Sequence, residues 1–318
     1  MRSRLAAASL LCLCALWPVG CGRTGGRQVS ARLVPADALV VLSVNWQAVR
    51  GDSDLLAIIK GAEFKKVLAD IGVDEKSITD LLIFADGVSN PHGSTGMLLS
   101  GSFHAPAVAG ALKKRGWPRE THGGHDFYIN PADGVRLGAL DSGVLVCGTK
   151  KGIESVIRAK SDPNASFASK DVFKRLSKLF SPAKVPISMV IAFPQQFQDA
   201  ADAALQVSSV VMDFAGVGPL GQLMNKIGYS RAIGCSIGHE GNSFPVELIA
   251  IMKDEDAAAF VSGGLTLLKG IGALVGQPPA RSSEEAEAIR TFQNMSISRK
   301  NDVLSIGLVM SRKNLLPN

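Results

Sequence analysis

The sequence predicts an α+β protein built from two related β-α-β-β-α-β-β halves, with mainly antiparallel sheets and helices packed on one face. Three observations predict it. Short apolar, β-branched runs alternate with segments whose apolar residues recur at helical spacing. Gly, Asn, Asp and Ser cluster between many of those runs, at hairpin length. The order of elements also starts again after residue 183. Ile187 falls 147 residues after Val40, Glu247 falls 150 after Met97, and Val303 falls 159 after Val144. Near-constant offsets with matching order mark a duplicated unit. The expected halves are residues 34–183 and 184–318.

Each element has its own justification. Val34-Pro35-Ala36-Asp37-Ala38 opens the globular part, and residues 39–44 read as a buried strand. Over residues 53–70 the apolar positions form two overlapping helical stripes. This predicts one helix with Ser53 as N-cap and Gly72 as stop. Residues 78–85 and 96–103 read as a strand pair. The next helix starts at Pro106, carries Lys113, Lys114 and Arg115 in its last turn, and ends at Gly116. Residues 126–130, 135–140 and 144–147 are short strands, the last two joined by a turn at Asp141-Ser142-Gly143. Helices follow around Ile153, Val156 and Ile157, and around Phe173 and Leu176, the latter stopped by Pro182.

In the second half, 187–193 and 247–252 are strands, and 295–299 and 303–309 pair across Lys300-Asn301-Asp302. Two glycine-rich apolar helices are expected, around 197–227 and 257–275. Lys269 and several glycines count against a membrane span for the latter. It reads instead as a helix whose glycines allow close approach to the sheet. The functional alternative is a mobile apolar cover over a lipid-sized cavity. Ser282 and Glu285 form a capping-box pattern before a final short helix.

The first 21 residues carry an address. Arg2 and Arg4 precede an uncharged apolar run over residues 5–17, too short to span a bilayer, which needs about 20 residues. The run leads into Trp17-Pro18-Val19-Gly20-Cys21. This pattern resembles the lipobox of bacterial lipoproteins, although Pro18 stands where that family usually has Leu. The resemblance implies that residues 1–20 are a signal peptide and that Cys21 is lipidated at the mature N-terminus. It also implies a chain exported and held on the periplasmic side of a bacterial membrane, with Gly22 leaning towards the outer one. Residues 21–33 then form the lipidated Cys and a tether, with Gly22, Gly25 and Gly26 and no hydrophobic period. The ten residues 22–31 reach at most about 35 Å, which keeps the body near the bilayer. The Val34-Pro35-Ala36-Asp37-Ala38-Leu39-Val40 stretch resembles the opening of a loosely defined group of exported bacterial proteins of repeated α+β units. That resemblance implies fold class and export, and no functional residue.

Charge and cysteines narrow the reading further. Without Arg2 and Arg4 the chain keeps 32 basic against 28 acidic side chains, a net of +4 spread along its length. Lys113-Lys114-Arg115 and Lys174-Arg175 lack interleaved aromatic residues for base stacking, which argues against nucleic acid. Cys12 and Cys14 leave with the signal. Cys147 and Cys235 sit in apolar strand-like runs and read as buried free thiols, with a disulfide as the alternative in an oxidising compartment.

Three strings imitate catalytic motifs. Gly216-Val217-Gly218-Pro219-Leu220-Gly221 fits a dinucleotide fingerprint, but helix, not strand, is expected before it. Gly234-Cys235-Ser236-Ile237-Gly238 fits a nucleophile elbow, but a turn and a strand should follow Ser236, and no His lies beyond His239. His122-Gly123-Gly124-His125-Asp126 offers metal ligands around a tight turn, and a zinc site needs three or four. No catalytic residue, cofactor or metal is assigned, and Cys21 is the one functional residue. The expected role is non-catalytic binding or scaffolding in the envelope, with the membrane and an envelope protein as partners. A carrier of an apolar ligand or lipid is the alternative, and an envelope hydrolase a third.

Overall fold

A computed structural model describes residues 31–59, 61–86, 93–179, 185–193, 230–274, 290–291 and 293–312. The chain divides into two compact units, residues 1–189 and 190–318, with the division inside one strand.

The first unit opens with β1 (Val40–Asn45), followed by three short helices, α1 (Trp46–Val49), α2 (Ser53–Ile58) and α3 (Gly61–Asp70). The single helix expected over 53–70 is therefore two. The break falls just ahead of Gly61, where an added Cβ would stand 2.4 Å from Leu56 Cδ2, so a larger residue would require that side chain to move. The N-cap is Asp52 rather than Ser53. Its Oδ1 accepts from the Asp54 and Leu55 amides at 3.0 Å, and a carboxylate at a helix N-terminus also meets the positive end of the dipole. Trp46 is fully buried, stacks edge-on against Phe64 at 4.8 Å, and donates from Nε1 to the Glu75 carbonyl.

β2 (Ile78–Ala85) and β3 (Thr95–Gly101) pair antiparallel, and α4 (Ala105–Lys114) follows. α4 has Pro106 in its first turn, Lys113 and Lys114 in its last, and Gly116 at φ +73 just beyond Arg115. β4 (Arg119–His122), β5 (His125–Ile129), β6 (Arg136–Asp141) and β7 (Val144–Gly148) then form consecutive antiparallel pairs. β7 returns to pair with β3, so the order is β1-β2-β3-β7-β6-β5-β4. Leu98, Leu99, Leu145 and Val146 are fully buried in the central strands β3 and β7. Neighbouring residues of a strand point to opposite faces, so the middle of this sheet is dry on both sides. α4 lies against β5 and β6 through Val108 and Leu112. α5 (Lys150–Ser161), capped by Thr149, lies against β3 and β7, and α6 (Asp171–Leu179) closes the unit.

The second unit repeats that path. β8 (Ile187–Ala192) carries the division between the units, and just past it Phe193 donates to the carbonyl of Arg231, the second residue of the next strand. β9 (Ser230–Ile237) and β10 (Ser243–Met252) form a hairpin, α7 (Glu255–Leu274) follows, and β11 (Ser296–Lys300) and β12 (Val303–Ser311) form a second. β12 returns to pair with β10. Strand order β8-β9-β10-β12-β11 thus reproduces β1-β2-β3-β7-β6. The fold is α+β with two related, antiparallel halves. The first differs by its inserted β4–β5 hairpin. β4 was not foreseen, because Arg-Glu-Thr-His is polar throughout and too short to show a period.

Candidate functional site

Cys21, the 197–227 and 216–221 segments, and Ser282 with Glu285 lie outside the described residues. Of the tether expected over 21–33 only residues 31–33 are described, and they are helical with Leu33 buried, so the expectation is corrected there. Val34 is fully buried, Phe167 donates to the Val34 carbonyl at 2.8 Å, and Ala36 donates to the Ala165 carbonyl at 2.7 Å. The Val-Pro-Ala-Asp stretch is therefore stitched to the turn at 165–167.

Ser236 lies within β9, paired directly with Glu247 of β10, and the chain continues into a hairpin. A strand interior cannot present a serine at a sharp strand-to-helix turn, so the nucleophile-elbow geometry is not formed. His239, the one candidate base nearby in sequence, stacks on Phe244 at 4.6 Å.

The two-His string builds a charged site in the first unit. Gly123 and Gly124 have φ of +54 and +80, the type I′ geometry of a two-residue hairpin. His122 and His125 thus stand directly opposite, as do Glu120 and Phe127. Glu120 meets three basic side chains: Arg136 Nε at 2.9 Å, His122 Nε2 at 2.8 Å and Lys150 Nζ at 3.8 Å. Burial would raise the Glu120 carboxyl, but hydrogen bonds from Arg136 and His122 outweigh it and hold the group below its ordinary value. His125 faces Lys160 Nζ at 3.4 Å, and that ammonium also donates to the Leu140 carbonyl. Burial first, and Lys160 second, hold the His125 imidazole below its ordinary value, with Asp141 pulling the other way. The arrangement ties the hairpin to α5. Among the described residues no group of three or more His, Cys, Asp or Glu is placed to hold a metal ion.

α7 shows both a core face and a bare one. Ala257, Ala258 and Val261 pack with Met252 and Leu304. On another side Phe260 and Leu267 are 39% and 64% exposed, at helical spacing with Gly263 and Gly270. An added Cβ at either glycine would meet nothing within 4 Å. The expectation that glycines bring this helix close to the sheet is therefore corrected at both positions, because they face open space. Among the described residues, no helix is long and apolar enough to cross a membrane.

Cys147, partly exposed in β7, and Cys235, buried in β9, are both free thiols. Burial pushes the Cys147 thiol up to about 12 and raises that of Cys235 as well.

No known protein family and no curated protein matches the chain. Among solved structures it is similar to TP0453 in three crystal forms. Form I aligns at 11% identity and a TM-score of 0.47, over 90% of this chain and 94% of that one. Form III gives 13% and 0.47 over 90% and 95%, and form IV 13% and 0.48 over 92% and 98%.

Proposed function

We propose that this chain is a membrane-anchored envelope lipoprotein with a non-catalytic binding or scaffolding role. The observation that carries the proposal is the leader ending in Gly20-Cys21, followed by a glycine-bearing tether that runs into the stitched Val34 stretch. The interior of the body supports it. The serine motif is a strand, and the two-His motif is a hairpin whose Glu120 is held by Arg136 and His122. Fractionation of cells expressing the full chain tests the anchor. Processed protein in the membrane fraction is expected, and full-length, unprocessed protein in the cytosol would overturn the reading.

One observation favours a second reading, a carrier of an apolar ligand. Phe260 and Leu267 present bare apolar surface on a helix whose glycines leave room beside them. Native mass spectrometry with lipid extraction separates the two. A stoichiometric bound lipid favours the carrier, and an apo protein with co-purifying partners favours the scaffold.

A further inference from the structure

The sheet of the second unit holds an acidic group that no described residue neutralises. Pairing places Ser236 of β9, Glu247 of β10, Gly307 of β12 and Ser296 of β11 directly across from one another in one row. α7 packs against Ala250, Leu304, Ile306 and Ile297, which alternate with that row along their strands. The row therefore faces away from α7. Glu247 is partly buried, and among the described residues it makes no hydrogen bond or ion pair. Desolvation alone raises its carboxyl above the ordinary value. Ser236 beside it is 5% exposed. On its other side Gly307 contributes no side chain. In the next row on the same face Pro245 lies opposite Val309, which is 60% exposed.

A carboxylate drawn partly out of water without a partner is unfavourable, and native proteins neutralise or hydrogen-bond such groups. The chemistry of the surroundings selects the partner. A divalent cation such as calcium wants six or more oxygens, and one carboxylate with scattered hydroxyls does not supply them. A quaternary ammonium wants aromatic faces, and the row and its neighbour have none. A primary ammonium needs only a few acceptors, which the carboxylate and a hydroxyl can meet. We propose that this row is a binding site for a primary ammonium group, with Glu247 as counter-ion, Ser236 as a further acceptor and the Pro245–Val309 pair as an apolar shelf for the attached alkyl chain. The proposal is independent of the lipid anchor and of the role assigned to α7.

The test uses the mature chain and n-butylammonium chloride as probe, with tetramethylammonium chloride and sodium chloride at equal ionic strength as controls. Carboxyl-carbon NMR follows the Glu247 titration, assigned by its disappearance in Glu247→Gln. The expected result is a titration midpoint at least half a pH unit lower with butylammonium than with either control. Saturable amide shifts at 234–236 and 305–309 should accompany it and vanish in Glu247→Gln, which is nearly isosteric and keeps the fold. Val309→Ser should weaken butylammonium about threefold and leave methylammonium unchanged. An equal midpoint in all three salts, or amide shifts that persist in Glu247→Gln, would overturn the proposal.

Discussion

At the scale of single residues, titration carries the sharpest consequences. Glu247 has a folded-state value above its unfolded one, so its ionisation opposes folding. The stability associated with the neutral form is present below the unfolded value and is lost as pH rises through the folded one. Glu247→Gln is therefore expected to raise the melting temperature at pH 7.5 by about 1–3 °C, a small shift because the group is only partly buried. The gain should disappear at pH 4, and thermal unfolding of the two proteins at both pH values checks it. Glu120 behaves oppositely. Its lowered value contributes stability above the unfolded carboxylate range that is lost on acidification through the folded value, and Glu120→Gln should flatten that part of the pH–stability curve. The thiols give a third outcome. Thiolate is the reactive form, and burial raises both cysteines. A thiol-specific chromogenic reagent should label neither Cys147 nor Cys235 in native protein at pH 8 and both after denaturation. None of this ranking was legible in the sequence. Cys147 and Cys235 read alike there, and Glu247 was one acid at the start of an apolar run, because solvation depends on what the other strands bring alongside.

At the scale of elements, the sheet is fitted around glycine–aromatic pairs. Gly96 stands opposite Phe84, and Gly138 opposite Phe127. A Cβ on Gly138 would lie 2.4 Å from the Asp126 carbonyl oxygen and 2.6 Å from Phe127 Cδ1. One contact is backbone and the other belongs to a fully buried ring, so neither can yield cheaply. Gly138→Ala should cost about 1–3 kcal/mol in chemical denaturation, the usual range for overpacking. Gly110→Ala in α4, which meets nothing within 4 Å, should be neutral or stabilising by up to about 1 kcal/mol. The sequence shows that these glycines interrupt strands and helices, but not which of them are crowded. Helices with strong punctuation were legible: Pro106 and Gly116 bracket α4 in the structure as they do on paper. The break between α2 and α3 was not, because the apolar stripes run through it and the closeness of Leu56 to Gly61 is visible only in three dimensions. β4 escaped for another reason. An edge strand that buries little needs no apolar alternation, and its place is set by the Gly123-Gly124 turn and the ion pairs of Glu120.

For the molecule as a whole, the duplicated path was the most legible feature. Element order survives divergence when residue identity does not, since strand pairing and core burial constrain pattern more tightly than side-chain identity. The strand orders of the two halves agree, although the first carries the additional β4–β5 hairpin. The functional site was far less legible, because a binding surface of the kind proposed leaves no spacing rule in a sequence. What the sequence does offer is the address, and its physics gives a decisive outcome. A single acyl chain binds a bilayer only marginally, whereas each buried methylene adds about 0.8 kcal/mol and two or more chains hold firmly. The lipoprotein resemblance places those chains on Cys21. If Cys21 bears them, cells fed a radioactive fatty acid will label the wild-type chain, and Cys21→Ala will lose the label and leave the membrane fraction. The folded body should be unaffected, since Val34 is stitched to residues 165–167 and not to the leader. Its melting curve after detergent extraction should match that of the variant. Equal label on both proteins, or none on the wild type, would refute the anchor and with it the confinement of this protein to a membrane surface.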